Sequence, residues 1–327
     1  MKHKITLVFI LVLIFSGCAE KSESVSLNDC YFDSSPPGDT AIVFAPGIVS
    51  TDQHEHSRIT FSKDGTEMFW SVIPVKSNYI ETGGRPFKPD EQNIWHSKII
   101  NNEWSKPVIL NITKPSGYSS PAFSVNGDIF YFKTRTSDAG PNIEPKPDQL
   151  WKVTYDREEG WGAPIQENEL INIQVKKTFM SFCFADNNNL YFDYGSPDET
   201  GEWYWNIYFS EFKNSRYLPP VKLESGINDG ELSWCPWIAP DESYLIYSSH
   251  RDGEYGNGDL YINFKDEEGN WSNAINMGKK VNTSKQERFP SVSPNGKFLF
   301  FAKHIHETFS DIFWVDAKII EELRSYK

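Results

Sequence analysis

Five histidines fall in segments that read as loops: His54, His56, His250, His304 and His306. Imidazoles beside a carboxylate suit two kinds of chemistry, holding a divalent metal and carrying a proton near neutral pH. His54-Glu55-His56 has that composition, and Arg58, Glu231, Glu287 and Arg288 occupy corresponding segments before later strands. The metal candidates are His54, His56 and His304. They lack the i, i+4 helical spacing of a known zinc motif, and no nucleophile–base–acid triad is visible, so no cofactor beyond such a metal is expected. A second set of residues points to recognition. Tyr79, Arg85, Tyr118, Arg135, Trp203, Trp234 and Arg251 are aromatic and guanidinium groups of the kind that anchor interfaces, and flat aromatics also stack on sugars.

The elements that must position these residues are repeats. Five segments share one pattern, an apolar strand, a polar turn and an aromatic strand: Ile59-Thr60-Phe61-Ser62-Lys63-Asp64-Gly65, Pro121 to Gly127, Phe182 to Asn188, Pro236 to Glu242 and Pro290 to Gly296. Their Ser/Ala anchors stand at 62, 124, 185, 239 and 293, in steps of 62, 61, 54 and 54. Asp-Gly or Asn-Gly between apolar runs makes a tight hairpin, expected to place positive φ at the central turn residues. A third strand recurs as polar, aliphatic, aromatic (Asn93-Ile94-Trp95, Gln149-Leu150-Trp151, Asn206-Ile207-Tyr208, Asp259-Leu260-Tyr261, Asp311-Ile312-Phe313), and a fourth follows a short turn. Four antiparallel strands per repeat at this period predict an all-β fold, a five-bladed β-propeller. The fifth repeat lacks a fourth strand, and Thr40 to Ala45 supplies one, so the N-terminal strand closes the ring and removes the open edges. The turns between strands one and two are short. The connections between strands two and three are long, which makes their rim, shared with the crossovers between blades, the expected functional face. His250 and His304 each lie eleven residues beyond their anchors and occupy equivalent places on it.

The repeats resemble the WD40-like PD40 repeats of TolB-like propellers, whose usual form is F-S-P-D-G-x-x-L-Y-F. The fourth, Ser248 to Gly253 through Tyr255 to Tyr261, is similar to those in OmpA-type envelope proteins of Bacteroidota. The resemblance covers about residues 40–316 and implies the fold; such propellers serve binding, scaffolding and some enzymatic roles, so it does not select a function.

The ends and the composition bound the setting. Lys2 and Lys4, the apolar run Ile5 to Phe15 and Ser16-Gly17-Cys18 form a secretory leader too short to span a bilayer. Phe15-Ser16-Gly17-Cys18 resembles the bacterial lipobox, which implies acylation of Cys18 after removal of residues 1–17. Residues 18–39 read as a flexible tether, residues 40–316 as the propeller and residues 317–327 as a short helical tail. Without the leader, 45 acidic stand against 30 basic residues, a net charge of −15. Such a surface repels nucleic acid and anionic lipid, so membrane contact is expected through the lipid alone. Cys183 and Cys235 fall in apolar strands and read as buried thiols, and Cys30 lies in the tether. The expected protein is an outer-membrane lipoprotein facing the periplasm or the cell surface. It acts as a binding scaffold for envelope proteins or glycans. The alternative is a metal-dependent polysaccharide lyase or hydrolase using the histidine-rich loops.

Overall fold

The computed structural model describes residues 31–75, 91–112, 117–134, 148–156, 158–167, 170–171, 178–224, 226–230, 232–251, 253, 255–306 and 309–325. Cys18, Cys30, Tyr79, Arg85, Arg135, Glu231 and the side chain of His306 lie outside the described residues. No helix among the described residues is long and apolar enough to cross a membrane.

Five antiparallel sheets of four or more strands follow one another along the chain, with a two-stranded hairpin, Phe212–Lys213 and Arg216–Tyr217, beside the third. Blade one carries His54–Glu55 and Thr60–Phe61 innermost, then Glu67–Ile73, Asn93–Ile100 and the short outer strands Glu103–Trp104 and Val108–Ile109. Blade two runs Tyr118–Phe123, Ile129–Thr134, Gln149–Asp156 and Ile165–Gln166. Blade three runs Phe182–Phe184, Leu190–Pro197, Trp203–Ser210 and Val221–Lys222. Blade four runs Leu232–Ile238, Tyr244–His250, Asp259–Phe264 and Ile275–Asn276. Blade five has Glu287–Val292, Phe298–His306 and Phe309–Asp316, and its outer strand is Ile42–Val43, registered Ile42 to Trp314 and Val43 to Phe313. The ring is therefore a five-bladed propeller closed by its N-terminal strand, as the repeat arithmetic predicts.

The anchor residue of each repeat has a structural task. Ser62, Ser124 and Ser293 each accept through Oγ from the first amide of the second strand (Glu67, Ile129 and Phe298, at 3.0, 3.1 and 3.0 Å). In all five turns the anchor carbonyl accepts from the amide three residues on. Positive φ falls at that fourth residue, Gly65, Gly127, Asn188, Glu242 and Gly296, and not at the two central ones, because a turn of ordinary hand closed by one left-handed residue meets the strand twist. Glu242 carries this strain where its neighbours use Gly or Asn. Its carboxylate accepts from Asn187, Asn189 and Tyr191 of blade three at 3.0, 3.0 and 2.7 Å, tying the two blades.

A second device joins the third strands of blades three, four and five to the crossovers behind them. Asn228 accepts from the Ile207 amide and donates to its carbonyl; Asn282 does the same to Leu260, and Ser50 to Ile312. Each side chain satisfies a backbone amide that the two-residue outer strand leaves unpaired and adds a second donor to a carbonyl that already accepts from the Leu223, Met277 or Phe44 amide.

The tether expected over 18–39 is shorter than its composition indicates. Tyr31 is buried and its ring contacts Phe44, Phe61, Trp104, Phe298, Phe300 and Trp314 at 5.6–6.1 Å. Phe32 packs against Phe44 and Trp104. Two aromatics in an otherwise polar stretch dock the chain across the seam of blades five and one. A short helix, Lys318–Arg324, buries Ile319 and Ile320 beside blades four and five. Cys183 and Cys235 are free and buried.

Candidate functional site

The histidine-side end of the axis is built by the starts of the inner strands and the ends of the second strands. His54 and Glu55 pair with Ile73 and Val72. Glu287 and Arg288 pair with Lys303 and Ala302. The His54 ring lies 5.1 Å from His56 and 5.9 Å from His304, so three of the five loop histidines converge, as the ring closure requires. His250 stands at the corresponding end of the second strand in blade four, opposite Leu232.

His54, Glu55 and Glu287 are buried, His56 and His304 are half-buried, and the cluster is heavily bonded. Nδ1 of His54 accepts from the Ser310 amide at 3.1 Å, and the Ser310 hydroxyl donates to the Glu55 carbonyl at 2.6 Å. Glu55 Oε1 accepts from the Thr51 amide and hydroxyl at 3.2 and 2.8 Å, while its Oε2 is buried without a partner. Glu287 repeats the pattern: Oε1 accepts from the Thr283 hydroxyl at 2.6 Å and Oε2 has no partner. Burial pushes the Glu55 carboxyl up to about 9, with the Asp311 charge adding to it, and pushes Glu287 up to about 7. Burial, then the charge of Arg288, drives His304 down to about 3. The Arg288 guanidinium donates to Nε2 of this neutral ring. Desolvation also lowers the Lys303 ammonium, whose Nζ lies 3.5 Å from the centre of the Phe313 ring. The outcome is a set of buried groups held close to neutrality.

This arrangement does not assemble a ligand set for a metal among the described residues. The Nδ1 lone pair of His54 is taken up by Ser310. Tyr118, Trp234, Glu287 and Arg288 are at most 8% exposed, which makes them packing at this end of the axis. Trp234 lies against Gly258, where a Cβ would come within 2.8 Å of the indole. Arg251 donates to the Gly226 and Ile227 carbonyls at 2.7 and 2.8 Å and lies 5.0 Å over Tyr261, a clasp on the crossover into blade four. Arg58, expected on the same rim, lies on the axis itself and faces the opposite mouth. Sequence reasoning missed the partners Thr51, Thr283, Lys303, Ser310 and Asp311. The recurring Thr-x-x-x-Glu spacing of Thr51/Glu55 and Thr283/Glu287 is the signal that could have found the two threonines; Lys303, Ser310 and Asp311 carry no such signal.

On blades three and four the rim presents aromatics outward, and on blade five it presents the aliphatic Ile305 (47% exposed). The exposed aliphatics Ile42, Val108, Ile109, Ile165 and Val221 belong to outer strands around the perimeter. Among the described residues the exposed aromatics are Trp203 and Tyr204 (49 and 44% exposed), which open the third strand of blade three, and Tyr255 (51%), in the connection between strands two and three of blade four. Hydrogen bonds anchor the described residues beside these aromatics. Asp198 accepts from the amides of Thr200 and Glu202 at 2.7 and 3.0 Å, and Trp203 stacks on Trp205 at 6.3 Å. Asp259 accepts from the Tyr255 amide at 2.9 Å, and the Asn257 amide reaches the Lys285 carbonyl at 3.1 Å.

The fold is a five-bladed β-propeller that carries exposed aromatic side chains at one end of blades three and four. No family model matches the chain, and no curated protein matches it. Among solved structures it is similar to TolB from Acinetobacter baumannii, at 13% identity and a TM-score of 0.43 over 79% of this chain and 53% of that one. It is also similar to the endo-arabinase from Bacteroides thetaiotaomicron (13% identity, TM-score 0.49, 81% of this chain and 94% of that one). A third likeness is to the alpha-L-arabinofuranosidase from Lactobacillus brevis (13%, 0.48, 80% and 89%). The chain thus spans about half the length of the TolB chain it matches.

Proposed function

We propose that the protein is a binding module of the cell envelope that engages a glycan or protein partner through the aromatic rim of blades three and four. The observation that carries this reading is the segregation of exposed aromatics onto that rim. Trp203, Tyr204 and Tyr255 are displayed beside backbone held by Asp198 and Asp259, so little order is lost when they are covered. The net charge of −13 disfavours anionic polymers, which leaves neutral glycans and proteins as partners. The leader with its lipobox-like Cys18 supports export and lipid anchoring. The PD40-like form of the repeats supports a TolB-like role in the envelope.

The test is binding of neutral polysaccharides and of solubilised envelope proteins to the protein and to a Trp203→Ala/Tyr255→Ala variant. Aromatic anchors at an interface each contribute about 2 kcal/mol or more, so the double variant should lose at least about 30-fold in affinity. Retention by the variant would refute the rim as the contact surface. The metal-dependent lyase or hydrolase reading has no exposed ligand set to support it among the described residues. Measurement of bound zinc, manganese and calcium in the purified protein checks it independently.

A further inference from the structure

The other mouth of the propeller, on the side of the short turns, opens into an axial funnel of about 460 Å³ to which all five blades contribute. That volume lies within the usual range of small-molecule sites, and its walls are mostly apolar as such sites are. Phe61, Phe123, Phe184 and Trp237 form much of the wall. At the mouth one cation, Lys63, and one anion, Asp186, offset each other.

Two groups deeper in the funnel lack the partners that their burial calls for. Arg58 is 5% exposed. Its hydrogen bonds run through Nη2, to the Ser181 hydroxyl and, at 2.5 Å, to the Pro236 carbonyl. Among the described residues no carboxylate forms an ion pair with it. Ser291 is 2% exposed, lines the same funnel, and its Oγ has no hydrogen-bond partner. Buried charges are ordinarily paired and buried hydroxyls ordinarily bonded, and here both exceptions line one cavity. The other wall hydroxyls are already committed. Thr60 donates to the Pro121 carbonyl at 2.6 Å, and Ser62 and Ser124 donate to the Asp64 and Asp128 carboxylates, each at 2.8 Å.

We propose that the funnel is a binding site for a small organic carboxylate with an apolar, flat body, its head group on Arg58 and Ser291 and its body against the aromatic wall. A planar guanidinium matches a carboxylate better than it matches any neutral head group. A single floor cation selects a monoanion. The site lies at the opposite mouth from the aromatic rim and is independent of the function proposed for that rim.

The experiment is a fluorine NMR titration of the purified protein with 3-(4-fluorophenyl)propionate and, separately, with the corresponding neutral amide. A charge-assisted hydrogen bond of about 1.5–3 kcal/mol gives the carboxylate at least a tenfold advantage over the amide. Arg58→Gln should remove that advantage, and Ser291→Ala should weaken the carboxylate alone. Trp203→Ala/Tyr255→Ala should leave both titrations unchanged, which separates this site from the rim. Should Arg58→Gln fail to fold, the comparison of carboxylate and amide in the unaltered protein, with Ser291→Ala, still decides. Equal binding of the two compounds, no binding of the carboxylate up to about 10 mM, a range that covers the weakest useful affinities, or full carboxylate binding by a folded Arg58→Gln variant would each overturn the proposal.

Discussion

Replacing Glu55 with glutamine should stabilise the protein at neutral pH, and by an amount that grows as the solution becomes more alkaline. The carboxyl is fully buried, and only one of its oxygens is bonded, to Thr51. Burial is the main cause of its rise from 4.5 to about 9. Between those two values the folded protein keeps the proton while the unfolded chain has released it. The stability of the fold is therefore greatest at the acid end of this window and falls as pH rises through it. At pH 7 the distance from the unfolded value corresponds to a cost of about 3 kcal/mol, and between pH 5 and pH 8 the change is about 4 kcal/mol.

The amide in a Glu55→Gln variant would have nearly the same shape as the carboxyl, would still accept from Thr51, and would not titrate. Urea unfolding of both proteins at pH 5 and pH 8 isolates the effect. The variant should differ little at pH 5 and should be more stable at pH 8 by several kcal/mol, since Glu287 and the other titrating groups are common to both proteins. A difference that stays the same at the two pH values would refute the assignment of a protonated carboxyl at Glu55. It would mean that a cation or water reaches Oε2.

Two further substitutions test how the ring is held. Tyr31→Ala removes a ring buried among six aromatics and should cost about 3–5 kcal/mol in urea unfolding; a loss below about 1 kcal/mol would place residue 31 in the tether after all. Asn282→Ala leaves the Leu260 amide without its partner, while the carbonyl keeps the Met277 amide, and should cost about 1–3 kcal/mol by the same measurement. A near-neutral result there would mean that water replaces the clasp.

The architecture was readable because it is local and repeated. Each turn needs a left-handed fourth residue, and the serine anchors give a hydroxyl to the second strand. Chemical demands of that kind recur at a fixed distance along the chain. The closing strand was readable because the fifth repeat is one strand short. The site was less legible, for identifiable reasons. His54 and Glu55 look like loop residues until the ring closes, when Ser310, more than 250 positions away, covers them. Counting from the anchors aligns Glu55 with Gln286. The strand register instead matches it to Glu287, because blade one has an extra residue between Glu55 and Thr60 relative to Glu287 and Ser291. Tyr31 and Phe32 carry no period and sit in a polar stretch, so composition concealed their docking.

The irregularity of the inner strands also explains why the two ends of the axis differ. Ser120, Cys235 and Phe289 occupy equivalent positions with φ of 53, 54 and 55°, and each precedes a proline, a position at which extended backbone is preferred. The pairing of these strands with their neighbours shifts at the same places. Three of the five inner strands are thus pinched midway. On one side of the pinch, Phe289 packs beside His56 at 5.2 Å and the Ser120 hydroxyl bonds the Met180 carbonyl, which closes the histidine end. On the other side Arg58 caps the Pro236 carbonyl, and the strands diverge into the funnel. Strain held at several equivalent residues persists only where the surroundings fix it, and here it divides the axis between two uses. The rim of the closed end carries the exposed aromatics on which we propose a macromolecular partner docks. The open end is floored by a guanidinium that forms no ion pair among the described residues, the Asp193 carboxylate being taken up by the Met180, Ser181 and Cys235 amides, and has room for a small anion.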